Sequence, residues 1–230
     1  YLNILSPNKN TSCISQLVSE NRMKIINDLE ELKEILKNLR EKNKKIGLIP
    51  TMGSIHKGHL SLIENSIKMH CFTIVTIFVN PTQFNDLEDF KRYPKNETKD
   101  ISVLRTLKCD LLYFPKTQDL YPNGLVKNST VSDFRNILCD KFRPGHFDGV
   151  TTVVNILFKF INPDVAFFGD KDFQQLKIIQ SMVINNKLKI KIYACPSIRL
   201  LNGMSYSSRN RHLSPKQKKI FNKIAKEIYH

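Results

Sequence analysis

Two histidines that lie three residues apart, with a glycine between them, are the residues of this chain best suited to chemistry. His56 and His59 lie in the segment 49–63, where an apolar run gives way to a helical pattern around Gly58. The start of a helix offers unpaired backbone N–H groups and the positive end of the helix dipole. Imidazoles add further donors, so the segment predicts a phosphate-binding site. Gly58 has no side chain, which would let a nucleotide approach the backbone closely.

Other interpretations of this segment are a P-loop, a metal site and a pair of structural histidines. Gly53 and Gly58 have the spacing of a P-loop, but His59 and Leu60 stand where that motif needs lysine followed by serine or threonine. The P-loop is therefore excluded. Histidines three residues apart on a helix can also bind a metal ion, although no nearby cysteine or carboxylate completes a zinc shell. The residues alone leave the metal site and the structural histidines open beside the phosphate site that we favour.

The elements that must position these residues follow from the apolar pattern. Apolar runs bounded by turns predict buried parallel strands at 46–50, 72–79, 110–115, 164–169 and 190–196. Helical patterns alternate with them at about 59–69, 97–108, 147–161 and 173–186. Leucines at helical spacing predict an amphipathic helix over 24–42, namely Leu29, Leu32, Leu36 and Leu39.

This alternation predicts an α/β fold with a Rossmann-like doubly wound parallel sheet. In such a sheet the ligand crevice lies beyond the carboxyl ends of the strands, at the point where the strand order reverses. The histidine segment follows the first predicted strand, so we expect it at that crevice. The chain has no GxGxxG fingerprint, and a nicotinamide dinucleotide is not implied.

Composition narrows the class of partner. The formal net charge of +15 favours polyanions, but the lysines are scattered over predicted helix faces without interleaved aromatic residues. We therefore expect no nucleic-acid partner, and a bias toward polyanionic ATP. No apolar run reaches the ~18 residues of a membrane span, so no membrane partner is expected. The cysteines predict reduced, mostly buried thiols of a cytoplasmic protein, at positions Cys13, Cys71, Cys109, Cys139 and Cys195.

The histidine segment resembles the HxGH signature of the nucleotidylyl transferases, and the preceding PTMG narrows the resemblance to the pantothenate synthetase (pantoate–β-alanine ligase) family. Four further segments are similar to that family: IFVNPTQFND at 77–86, RPGHFDGVTTVV at 143–154, FGDKDFQQL at 168–176 and GMSYSSRN at 203–210. The resemblance implies ATP-dependent condensation of pantoate with β-alanine through a pantoyl adenylate. It also implies Mg²⁺ as cofactor and a homodimer. The alternatives are another HxGH nucleotidylyltransferase and a non-catalytic basic module that binds nucleic acid.

The resemblance implies three sets of site residues. The catalytic set is His56, His59, Lys171, Ser207, Ser208 and Arg209. The nucleotide set is Pro50, Thr51, Met52, Gly53, Gly58, Phe168, Gly169, Asp172 and Ile198. The pantoate set is Met52, Asn80, Gln83, Arg143, His146 and Gln175. No protein metal site is expected, although Asp86 and Asp89 are candidate carboxylates on the magnesium side of the nucleotide.

The resemblance also divides the chain. Residues 1–22 are expected to be an extraneous leader or a disordered extension, 23–198 the Rossmann-like domain that binds ATP and pantoate, and 199–230 the SSR-motif loop with the start of a largely missing C-terminal lid domain. The chain departs from the family pattern at Asp170, where glutamate is usual, and at Leu200 and Asn202, which replace acidic residues. Tyr206 replaces a common methionine beside the expected adenine position.

Overall fold

A computed structural model describes residues 23–127 and 131–229. Its centre is a sheet of six parallel strands in the order β1-β4-β3-β2-β5-β6. The strands are β1 Lys24–Ile26, β2 Ile46–Thr51, β3 Phe72–Ile77, β4 Leu111–Tyr113, β5 Val165–Gly169 and β6 Lys191–Cys195. The prediction of a doubly wound parallel sheet is confirmed. The expectations for residues 1–22, including the thiol of Cys13, lie outside the described residues.

Helices connect the strands in crossover units. They are α1 Leu29–Glu41, α2 Lys57–Lys68, α3 Leu87–Arg92, α4 Glu97–Thr106, α5 Thr117–Leu120, α6 Leu138–Phe142, α7 His146–Ile161, α8 Phe173–Asn185 and α9 Pro215–Tyr229. Short 3-10 turns are formed by Pro81–Gln83, Asp170–Asp172 and Ser208–His212. No helix within 23–127 and 131–229 has both the length and the apolar character needed to cross a bilayer.

The prediction of a helix over 24–42 is wrong at its beginning. Lys24–Ile26 forms the edge strand β1, which pairs with β4 through contacts such as Ile25 opposite Leu112. The helix begins only after Asp28, whose carboxylate accepts the Glu31 N–H at 3.0 Å as an N-cap. A three-residue strand carries too little periodicity to be recognised, and its partner lies far away in sequence.

Successive strand residues point to opposite faces of the sheet, which explains why helices cover both sides. Leu48 and Ile74 join the core packed against α1, α7 and α8, whereas Ile49 and Val75 join the core packed against α2 and α4. These four side chains are fully buried. Each such burial stabilises the fold by about 1.5–3 kcal/mol, so strands apolar on both faces are stable only as the middle layer.

The strand order places the functional loops. From β2 the chain winds outward through β3 and β4 on one side, and returns to add β5 and β6 on the other side. The order therefore reverses between β2 and β5, and a crevice opens at their carboxyl ends, beyond Thr51 and Gly169. After β6 the chain forms an isolated antiparallel bridge between Arg199 and Ser205. The division into domains at residue 198 stays a prediction.

Candidate active site

A cavity of about 420 Å³ opens at the reversal point of the sheet, and an adjoining recess adds about 120 Å³. Both are bounded by Pro50 near the end of β2, by Phe168 near the end of β5 and by Lys171 in the turn that follows β5. One wall of the larger cavity is apolar and comes mainly from α7, with the side chains Val150, Val153, Val154 and Leu157. The rest of the lining is mainly polar and includes Ser205, Ser207, Ser208 and Arg209 of the segment 204–211, which we call the clamp segment.

The two histidines lie together at the start of α2. His56 is its N-cap residue, and its ring stacks on that of His59 with centroids 4.0 Å apart and planes 18° apart. The His56 backbone N–H donates to His59 Nδ1 at 3.4 Å. Since Nδ1 accepts, the Nε2 atom of neutral His59 carries the proton. The His56 Nδ1 atom is buried and has no partner among the described residues.

Burial lowers the pKa of both imidazoles. The pKa of His56 falls to about 4 and that of His59 to about 3, first because of desolvation and further because of nearby positive charge, including that of Lys171. Both rings are therefore neutral at pH 7 before a ligand binds. A phosphate is negatively charged, so its hydrogen bonds with these rings are charge-assisted even though the rings are neutral.

The turn before His56 is held by a residue that the sequence did not single out. Gly53 and Ser54 both have left-handed backbone conformations, with φ of 80° and 53°. Asp100 of α4 is buried, and its carboxylate accepts the N–H groups of Ser54 at 2.7 Å and of Ile55 at 2.8 Å. These bonds compensate the buried backbone donors and fix where α2 begins. Asp100 lies 46 residues along the chain from Ser54, so no local pattern could have found it.

Gly58 has a role in packing in addition to the predicted one. A Cβ atom at this position would lie 3.0 Å from Cε1 of the His56 ring, which is closer than nearly all real Cβ contacts. The glycine thus leaves space for the imidazole of the N-cap residue. It also lines the smaller recess. Its place beside a nucleotide stays a prediction.

Positive side chains reach the cavity from two sides. Lys171 projects from the turn after β5, with Nζ 3.5 Å from the Asp172 carboxylate. Arg209 of the clamp segment donates from Nη2 and Nε to Asp89, at 2.8 Å and 3.4 Å, and its guanidinium lies 5.7 Å from the ring centroid of Tyr93. Ser207 caps the turn by accepting the Arg209 N–H at 3.3 Å.

All members of the predicted catalytic set line the larger cavity: His56, His59, Lys171, Ser207, Ser208 and Arg209. Most of the nucleotide set does so too, or lines the recess: Pro50, Thr51, Met52, Gly58, Phe168, Gly169, Asp172 and Ile198. Gly53 does not, and lines a separate pocket together with Met52 and Asp100. Tyr206 faces the recess, with Lys57 Nζ 5.9 Å above its ring.

The predicted pantoate set divides into a lining group and a supporting group. Met52, Gln83 and Gln175 line the larger cavity, and Gln83 Nε2 lies 2.7 Å from Met52 Sδ. The apolar side chains of α7 line the same cavity, which therefore offers a polar and an apolar surface together. A small ligand with methyl groups on one side and oxygens on the other would fit between these two surfaces.

Asn80 and His146 are not part of the cavity lining and lie behind Gln83. Asn80 is 1% exposed and donates from Nδ2 to Gln83 Oε1 at 3.3 Å and to the Gly149 carbonyl at 3.0 Å. His146 donates from Nδ1 to the Gln83 carbonyl at 2.6 Å, and Arg143 donates to His146 Nε2 at 3.0 Å. The structure therefore places the three as supports of Gln83.

The two candidate magnesium carboxylates have other partners. Asp86 is the N-cap of α3 and accepts the Glu88 N–H at 2.8 Å, whereas Asp89 binds Arg209. In the part of the chain that the structure describes, no three His, Cys, Asp or Glu side chains converge as a metal site would require.

Comparisons with known proteins agree with one another. The family model described as Pantoate-beta-alanine ligase matches residues 24–230. The chain is 46% identical over 209 residues to the pantothenate synthetase of Buchnera aphidicola subsp. Acyrthosiphon pisum (strain 5A), covering 90% of this chain and 72% of that relative.

Solved structures give the same result. A pantoate-β-alanine ligase from Francisella tularensis, complexed with β-γ ATP and β-alanine, superposes with a TM-score of 0.86 at 39% identity, over 90% of this chain and 80% of that one. Pantothenate synthetase from Thermus thermophilus gives a TM-score of 0.81 at 35% identity, over 87% of this chain and 71% of that one.

Proposed function

The chain belongs to the pantoate–β-alanine ligase family, and we propose on that premise that its cavity uses ATP to join pantoate to β-alanine through a pantoyl adenylate. Pyrophosphate leaves in the first step and AMP in the second. The observation that carries the proposal is the convergence of two imidazoles, Lys171 and the clamp segment on one cavity that also holds two glutamine side chains.

The chemistry explains why such a cavity is needed. A carboxylate is a poor electrophile, and transfer to AMP turns one of its oxygens into a leaving group. The pantoate carboxylate attacks the α-phosphorus of ATP, so negative charge grows on the α-phosphate and on the departing pyrophosphate. Donors fixed before the reaction stabilise that charge without reorganisation. No protein nucleophile is required.

The proposed roles follow the layout of the cavity. Pantoate lies between Gln83 and Gln175 on one side and the apolar wall of α7 on the other, where its methyl groups lose contact with water. The nucleoside enters the smaller recess beside Tyr206. The α-phosphate then stands where the two spaces meet, against the His56 and His59 rings and Lys171, all of which border both spaces.

The clamp segment completes the phosphate site in this proposal. Ser207, Ser208 and Arg209 hold the β- and γ-phosphates from the side of the clamp segment. Arg209 is already oriented by Asp89 and by the Tyr93 ring. A guanidinium held in this way loses little conformational freedom when it binds a phosphate.

Magnesium, dimerisation and compartment are also proposals. Mg²⁺ binds well through substrate phosphates and few carboxylates, so the ATP phosphates would hold it and it would neutralise part of their charge. The homodimer is supported by apolar side chains left exposed on one stretch, namely Leu125, Val126, Phe134, Ile137, Leu138 and Phe142. The free buried thiols of Cys71, Cys109 and Cys195 suit a reducing cytoplasm. Light scattering tests the dimer: a single-chain mass in solution would contradict it.

Pantoate-dependent exchange of pyrophosphate into ATP tests the catalytic proposal, since it needs only the first step. The parent protein should exchange only when pantoate is present. His59→Ala and Lys171→Ala should each reduce the exchange rate by ~10²–10³, while Lys37→Ala, on the exposed face of α1, serves as the control for charge. Exchange without pantoate, or near-parental rates in both variants, would refute the proposed roles.

A further inference from the structure

The clamp segment contacts the histidine wall, by which we mean residues 54–59, through an arginine that the proposed function does not use. Three of its side chains contact other segments of the site. Tyr206 lies 6.3 Å from the His56 ring between centroids, and Arg209 binds Asp89. The third, Arg211, donates from Nη2 to the Ser54 hydroxyl oxygen. Arg211 does not line the larger cavity. Its hydrogen bond to Ser54 connects it to the site.

Ser54 is an unusual anchor point. It is 5% exposed, and its backbone is left-handed at φ 53°, directly after Gly53 at φ 80°. Residues other than glycine rarely adopt a left-handed backbone conformation, so surrounding contacts must hold the turn in place. Asp100 provides such contacts from one side through the backbone N–H groups. Arg211 provides one from the other side through the side chain.

The position of this turn matters to the site because Ser54 precedes the N-cap His56 by two residues. A shift of the turn moves the start of α2 and both imidazoles with it. The same bond also ties down the far end of the clamp segment, just after Ser207, Ser208 and Arg209. One hydrogen bond therefore joins the two walls between which the phosphates are proposed to lie.

We propose that Arg211 is a positioning residue for ATP: its bond to Ser54 sets the distance between the clamp segment and the histidine wall. The inference rests on the proposed function of the cavity. Without the bond the clamp segment retains its contacts through Tyr206 and Arg209 but loses its link to the strained turn. ATP then binds more weakly, whereas Asp100 still anchors the turn through its backbone N–H groups, so the imidazoles that stabilise the transition state stay in place.

A double-mutant cycle tests this assignment, because it isolates the coupling between two side chains. The variants are Ser54→Ala, Arg211→Ala and the double substitution, with Arg211→Lys as the conservative variant. Arg105→Ala, which removes an exposed positive charge from α4, is the matched control. The readouts are KM for ATP and kcat in pantoate-dependent pyrophosphate exchange, with circular dichroism to verify folding.

We expect each single substitution to raise KM for ATP by about tenfold, as for the loss of one charged hydrogen bond, with kcat close to the parent value. The double substitution should add nothing further, and Arg211→Lys should restore most of the affinity. If Ser54→Ala behaves like the parent while Arg211→Ala weakens ATP, the arginine acts through its charge alone and the proposal is wrong. Additive effects would overturn it equally.

Hydrogen–deuterium exchange on the ligand-free protein keeps this inference separate from the proposed function. Both single substitutions should speed exchange at the Arg209 and Asn210 amides, which bond within the clamp segment. That result is expected whether or not the protein catalyses pyrophosphate exchange. Unchanged protection in both variants would overturn the positioning role, while a parent protein inactive with pantoate and ATP would overturn only the proposed function.

Discussion

Gly149→Ala gives a sharp test of how the Gln83 end of the cavity, where we propose that pantoate binds, is built. Gly149 lies in the first turns of α7, where the helix crosses the 3-10 turn Pro81–Gln83. A Cβ atom there would lie 2.4 Å from the Thr82 carbonyl oxygen and 2.7 Å from the Gln83 nitrogen. Both atoms belong to the backbone, so no side chain can rotate away to make room.

The size of the displacement follows from these distances. Ordinary van der Waals contact begins at 3.4 Å, so the turn must retreat from the helix by about 1 Å, and the side chain of Gln83 moves with it. A misplacement of about 1 Å costs up to ~10² in rate when it affects a group that orients the substrate. Overpacking costs about 1–3 kcal/mol of stability, but alanine regains about 1 kcal/mol over glycine inside a helix.

The variant should therefore fold with a small loss of stability and show a large loss of pantoate-dependent pyrophosphate exchange. The loss should appear in KM for pantoate and in kcat, with KM for ATP close to the parent value, because the nucleotide recess does not touch the turn. Asn155→Ala on the same helix is the control for a helix-favouring substitution. A folded Gly149→Ala protein with parental pantoate kinetics would refute the reasoning.

Two further substitutions test the supports of the site. In Asp100→Asn one side-chain oxygen still accepts, but an amide donor faces the other of the two backbone N–H groups. The free energy of unfolding in urea should therefore fall by about 2–3 kcal/mol, and exchange activity should fall with it. Glu97→Gln on the exposed start of α4 is its control, and equal stability of the two variants would contradict the anchor. Burial lowers the pKa of His146 from 6.5 to about 4. Between these two pH values the unfolded state binds more protons than the folded state, so the free energy of unfolding decreases as the pH falls from about 6.5 to about 4. His146→Gln should flatten that part of the urea-measured stability profile relative to His70→Gln, and identical profiles would show that His146 does not contribute.

Local patterns were enough to predict much of the fold. The five predicted strands are present, with ends that differ by up to a few residues, and α2, α4, α7 and α8 begin and end within two residues of their predicted limits. Apolar runs and helical periodicity report directly on which faces are buried. The pattern failed at β1, whose three residues are strand only because β4 lies beside them.

Local patterns could not predict the supports of the cavity. In the sequence, Asp100 is only one polar residue of an amphipathic helix. Its role depends on the fold, which brings its carboxylate to the N–H groups of Ser54 and Ile55. His146 belongs to a segment predicted to bind substrate, yet its ring is turned toward the Gln83 carbonyl. Motif similarity shows that residues belong to one site, but only the packing around each side chain decides which of them border the cavity.

The sequence by itself determined the family, the parallel sheet and the types of side chain that gather at its carboxyl edge, because these depend on residue identity and short-range periodicity. The tertiary structure alone decided the neutral state of the imidazoles, the division of the pantoate residues into lining and support, and the link between Arg211 and Ser54. Each of these depends on desolvation or on contacts between residues far apart in the chain. Such effects exist only once the chain has folded.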